Sequence, residues 1–196
     1  MKKKIAVTIV AALLCVGLAA CGGGGKDKGY DDYPKAEFPS GVNLAGKDYD
    51  EISIKYPDSW TVGVDIEPDS AQENSSFFLA AAPADANGNM SNVNIVKGTK
   101  EFKEVSEFTQ TMAISTVKQA GDQLGTTLSL KDFGYYRHGE KDVLRMSYEG
   151  ELSGFSVKFV QLYSIGEECN YVITATVIGG EHEAELEAVL SSLEFK

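Results

Sequence analysis

Apolar and polar residues alternate with a period of two along most of the chain from residue 52 onward, and in two places the period changes to that of a helix. Ile52, Ile54 and Tyr56 alternate with Ser53 and Lys55, which predicts a strand with one buried face. Pro57-Asp58-Ser59 carries turn chemistry, and Trp60, Val62, Val64 and Ile66 alternate behind it, so the two runs predict a hairpin. Residues 76–82, with Phe77 and Phe78, predict a third strand. Asp85, Asn87, Gly88 and Asn89 mark a turn, and Val93 and Ile95 begin a fourth strand that stops at Gly98.

The period then lengthens. Phe102, Val105, Phe108, Met112, Thr116 or Val117, and Ala120 fall on one helical face, with Glu101, Glu104, Glu107, Gln110 and Lys118 mostly off it. This predicts a helix from about residue 100 to Ala120, with Gly121 as its stop. A strand meander follows over 126–137, 142–148, 155–165 and 170–178, with turns at 138–141, 149–154 and Gly166-Glu167-Glu168. Gly179-Gly180 breaks it, and residues 181–193 place Leu186, Val189, Leu190 and Leu193 on one face of a closing helix. Four strands, a helix, four strands and a helix predict an α+β fold, an antiparallel β-sheet flanked by helices.

The amino-terminal part obeys other rules. Lys2, Lys3 and Lys4 precede an apolar run over 5–18 that is too short for a spanning helix of about 20 residues. Leu18-Ala19-Ala20-Cys21 then resembles a bacterial lipobox: a branched apolar residue, two small residues and a cysteine. That resemblance implies diacylglycerol on the Cys21 thiol and cleavage before it, so residues 1–20 are expected to be a cleaved lipoprotein signal peptide. Cys15 does not compete, because Leu14 before it is too bulky. An ordinary signal cut after Ala20 and a single-pass anchor are the alternatives. Residues 21–40, with Gly22 to Gly25, two prolines and mixed charges, predict a flexible tether of roughly 25 Å r.m.s. reach. Gly25-Lys26 is no phosphate loop, since Asp27 stands where Ser or Thr is needed. Residues 41–196 then read as one globular domain.

Charge narrows the partners. The chain carries a formal −11, and loss of Lys2, Lys3 and Lys4 takes the processed form to −14. Such a surface repels nucleic acid and anionic headgroups, so a membrane must be held through lipid on Cys21 and not through a basic patch. Of the three cysteines only Cys169 is left for the domain, which excludes a disulfide framework.

With the elements in order, a family resemblance emerges. Ile54-Lys55-Tyr56-Pro57-Asp58-Ser59-Trp60, Asn92-Val93-Asn94-Ile95 before the helix, and Gly139 ahead of Leu144 to Tyr148 resemble the PsbP-like superfamily. Gln161-Leu162-Tyr163, Tyr171-Val172-Ile173-Thr174-Ala175-Thr176 and the final Ser191-Ser192-Leu193-Glu194-Phe195 extend the similarity over about residues 49–195. The resemblance includes the DcrB-like bacterial lipoproteins. It implies an α/β/α sandwich and an accessory or partner-binding role, and it carries no catalytic signature.

The chemistry-bearing residues point the same way. His138 falls in a hairpin turn and is expected to be solvated. His182 lies among Glu181, Glu183, Glu185 and Glu187, but a lone nitrogen with carboxylates is an incomplete zinc set, and acids favour a helix's first turn. In Asp85-Ala86-Asn87-Gly88-Asn89 the glycine comes too early for a calcium loop and no glutamate closes it. Cys169 beside Glu167 and Glu168 has its thiolate disfavoured. Trp60, Tyr135, Tyr136, Tyr148, Tyr163 and Tyr171 read as strand core, with a docking face as the alternative. No catalytic, cofactor or metal residue is assigned; the one site residue is Cys21. The expectation is a non-enzymatic lipoprotein of the cell envelope, outside the cytoplasm, whose domain binds or stabilises a protein partner. A small-ligand receptor is the alternative, and an envelope hydrolase comes last.

Overall fold

Period-two stretches become strands and both helical stretches yield helices in the computed structural model, which describes residues 30–196 other than Asp50 and Glu73. In chain order these are β1 (Asp31–Asp32), β2 (Leu44–Asp48), β3 (Ile52–Pro57), β4 (Thr61–Asp65), β5 (Ser75–Ala81) and β6 (Asn92–Thr99). Then come α1 (Gln110–Leu124), β7 (Leu128–His138), β8 (Lys141–Leu152), β9 (Phe155–Ile165), β10 (Cys169–Ile178), α2 (Glu183–Ser191) and β11 (Glu194–Phe195). One sheet has the order β1-β7-β8-β9-β10-β6-β5-β4, and a smaller one has β11-β3-β2. Every pairing is antiparallel except β1 on β7.

Register divides the core in two. Leu144, Met146, Tyr148 and Phe159 face α1 and pack with Ala113, Val117 and Ala120. The alternate residues Val143, Val160, Leu162 and Ile173 face the other way, against Leu186, Val189 and Leu190 of α2 and Ile52, Ile54 and Tyr56 of β3. Each such side chain adds about 1.5–3 kcal/mol of burial free energy. Strand β10, buried at every position, runs through the middle. The α+β class with a helix on each face is as expected; the three-stranded sheet beside α2 is an addition.

Several boundaries differ for physical reasons. The expected hairpin between residues 52–56 and 60–66 does not form. Asp58 N–H donates to Asn43 O at 2.9 Å and Trp60 is buried, so the turn carries the chain from the small sheet to the large one. Phe102, Val105 and Phe108 are buried, but they recur every third residue and lie on an arm with a 3₁₀ turn at Val105–Glu107. The helix starts after Thr109, whose Oγ1 accepts from Met112 N at 3.4 Å. It ends at Gly125, with φ of 68°, and not at Gly121. Gly121 is instead buried within α1, where a Cβ would stand 2.7 Å from Thr126 O. The turn expected over 149–154 is confined to Ser153-Gly154, because β8 and β9 stay paired as far as Leu152 and Phe155.

Part of the expected tether belongs to the domain. Asp31 and Asp32 pair with Tyr136 and Arg137, and Tyr33 N–H donates to Arg137 O at 3.0 Å. The Tyr33 ring is buried, and Ala36 N–H donates to Ser191 Oγ at 2.9 Å. The expected signal peptide over residues 1–20, Cys21 and residues 22–29 lie outside the described residues. Among the described residues no helix is long and apolar enough to cross a membrane.

Candidate functional site

Each group the sequence singled out is placed by the fold in a specific contact. His138, at the end of β7, is half-buried and not solvated as expected. Its Nε2 lies 3.2 Å from Leu190 O, and its ring sits 4.5 Å from that of Tyr33 and 5.7 Å from that of Phe195. Burial holds its pKa below the usual histidine range, which leaves a neutral imidazole with Nε2–H donating to the carbonyl. His182 is at the start of α2 in a left-handed conformation, with Nδ1 2.9 Å from Glu185 Oε2. The same oxygen accepts from Trp60 Nε1 at 3.3 Å. This group ties the Trp60 turn to α2.

Asp85 is the centre of a self-contained turn. Its Oδ1 accepts from Asn87 N and Asn89 N, both at 2.8 Å, and its Oδ2 from Asn89 Nδ2 at 3.0 Å. These hydrogen bonds, from Asn89 above all, hold its carboxyl below the usual range. Among the described residues no cluster of three or more His, Cys, Asp and Glu is arranged to hold a metal ion. Cys169 is buried, and burial above all pushes its thiol pKa up, with Glu51 and Asp69, both remote in sequence, adding to the shift.

The strand aromatics are structural. Tyr148 stacks on Phe159 at 4.9 Å, Tyr163 on Phe108 at 5.9 Å, and Tyr171 meets Phe77 edge-on at 6.0 Å. Tyr135 donates to Phe108 O at 3.0 Å, fixing the arm before α1. A cavity of about 30 Å³ lies under that arm, lined by Phe102, Phe108, Met146 and Gln161 among others.

Sequence reasoning missed a charged group in the core. Arg145 projects from β8 toward α2, its side chain only 12% exposed, with Nη1 2.8 Å from Asp132 Oδ2 and Nη2 2.9 Å from Glu187 Oε1. The signal was present in Val143-Leu144-Arg145-Met146, where an arginine occupies an inward-facing position of an apolar strand.

The second missed feature is an open edge. Strand β4 ends the large sheet, and its five residues are exposed or half-buried. Val62 is 36% exposed and neighbouring Ile66 is 42% exposed. At the opposite end of the same sheet lies β1, where the chain leaves the described domain toward residue 21. Seven strand spacings separate the two edges, roughly 34 Å measured across the strands.

No protein-family model matches the sequence, and no curated protein does. Among solved structures, the solution structure of cyanobacterial PsbP (CyanoP) from Synechocystis sp. PCC 6803 matches with a TM-score of 0.52 at 14% identity. The match covers 91% of this chain and 99% of that one. The Pseudomonas aeruginosa protein PA94 matches at a TM-score of 0.45 and 13% identity, over 78% of this chain and 97% of that one. LpqN of Mycobacterium tuberculosis, described as involved in cell envelope biogenesis, gives 0.41 and 14%, over 78% of this chain and 83% of that one. The first similarity concerns the fold alone: the chain has the PsbP-like α+β fold.

Proposed function

We propose that this is a cell-envelope lipoprotein, anchored outside the cytoplasm through Cys21, whose domain binds a protein partner without catalysing a reaction. The finer kinship, with DcrB-like lipoproteins, belongs to the same proposal. The observation that carries it is the placement of β1 and β4 at opposite ends of one sheet. A chain anchored at Cys21 has at most roughly 30 Å of extended backbone before Tyr30. The β1 end is then the one held toward the bilayer, and the open β4 edge is held away from it. The two histidines, Asp85 and Cys169 support the non-catalytic reading, since each is engaged in a contact that builds the fold.

Two measurements test this. Cells fed a labelled fatty acid incorporate it into the parent protein and not into Cys21→Ser; equal labelling of the two, or none in the parent, refutes the anchor. A photo-crosslinking residue at Val62 captures one reproducible protein in intact cells, whereas the same residue at Asp122 on α1 does not. Equal capture at both positions, or none at Val62, removes β4 as the docking edge.

A further inference from the structure

Strand β4 has one neighbour, β5, among the described residues. Ile66 N–H donates inward to Phe77 O at 3.0 Å. By the alternation of an antiparallel ladder, the N–H and C=O of Asp65 therefore point out from the sheet's edge. The exposed side chains of Val62 and Ile66 flank those groups. Unpaired backbone beside exposed apolar side chains is a template for a further strand.

Charge selects the occupant. Asp58, Asp65 and Glu67 lie on β4 or next to it in the chain, with Lys47 paired to Asp65 and the Tyr49 hydroxyl donating to Asp65 Oδ1 at 3.0 Å, while Asp69 pairs inward with Lys97 of β6. A second copy of the chain laid antiparallel on β4 would bring this acidic run against itself, and like charges directly opposite are destabilising. The residues ahead of Tyr30 leave from the far end of the sheet, roughly 34 Å away. We propose that β4 accepts an extended, basic segment of a partner protein as a ninth strand of the large sheet. This rests on the docking function above and adds the chemistry of the partner. The β4–β5 pairing also carries a register shift between Val62 and Val64. Short, bulged and charged edges are a device for repelling strands, so a protected edge is the competing outcome.

The test uses the whole processed chain with Cys21→Ser and two fluorescein-labelled decapeptides, one alternating Lys and Val, the other alternating Glu and Val. Fluorescence anisotropy gives the affinities, and a photo-crosslinking residue at Val62 locates the contact. The Lys-Val peptide is expected to bind at least about tenfold tighter than the Glu-Val peptide. Its affinity is expected to fall steeply between about 50 and about 500 mM salt as the charges are screened. It crosslinks from position 62, and Val62→Lys with Ile66→Lys weakens it by about tenfold or more. Absence of saturable binding, equal affinity for both peptides, or indifference to the double substitution overturns strand addition. A reproducible cellular adduct at Val62 without preference for the Lys-Val peptide keeps the docking function and removes this inference alone.

Discussion

Replacing Tyr33 by alanine isolates what holds residues 30–38 to the sheet. The Tyr33 ring is 6% exposed, packed 4.5 Å from His138 and 5.9 Å from Tyr136. Burial pushes its hydroxyl pKa up to about 12, against the opposing pull of the Arg145 guanidinium. Removing a buried aromatic ring costs about 3–5 kcal/mol. The segment lies at one end of the domain and pairs through only two residues of β1, so it undocks locally and the sheet stays folded. Taking about 3 kcal/mol, the docked-to-undocked ratio falls by about a hundredfold. Hydrogen exchange reads this at two amides, Tyr33 N–H on Arg137 O and Ala36 N–H on Ser191 Oγ. In Tyr33→Ala both exchange about a hundredfold faster, while the amides of β9 and β10 keep their protection. If the two amides already exchange at unstructured-chain rates in the parent protein, or do not accelerate in the variant, the docked segment is refuted.

Two further outcomes follow from the core. In Gly121→Ala, alanine's better helix propensity contributes about 1 kcal/mol, but its Cβ would meet the backbone at Thr126 O and Leu128 N, at 2.7 and 3.1 Å. Overpacking at about 1–3 kcal/mol wins, so Tm drops by about 2–4 °C per kcal/mol of net loss; a rise in Tm refutes the close approach. For His138, burial depresses the folded pKa, so the unfolded chain takes up the proton first as pH falls. The stability held by the neutral ring is complete above about pH 6.5 and is lost as pH drops through that value toward the folded pKa. Denaturant titrations at about pH 7.5 and about pH 5.5 should show a larger loss for the parent than for His138→Gln, and equal losses refute the assignment.

Local pairing was legible and distant pairing was not. Strands β7 to β10 follow one another through short turns, so period-two alternation and turn residues locate them to within a few positions. Alternation also found β3 and β4 but not their partners. Nothing in Ile52, Ile54 and Tyr56 distinguishes pairing with β4 from pairing with β2 and β11, which is settled by burial under α2. Strand β2, Leu-Ala-Gly-Lys-Asp, has too few apolar residues to show a pattern at all. Tyr33 lay hidden among prolines and charges, because one buried ring on an irregular segment has no period. The histidines illustrate the same limit: turn chemistry put His138 in the hairpin turn, whereas it is the last paired residue of β7, and α2 and Tyr33, remote in sequence, determine its burial.

The parallel pairing of β1 also has a mechanical side. With Cys21 in a bilayer, a pull on the domain is transmitted through Tyr30 to the two residues of β1 and the Tyr33 ring before it reaches the long ladders of β7 to β10. Those few contacts give way first. Their release feeds out residues 30–39, roughly 34 Å of slack at about 3.4 Å per residue. Under the anchor proposed at Cys21, the segment would act as a mechanical fuse: strain at the membrane would lengthen the leash and leave the sheet, with its far edge, intact.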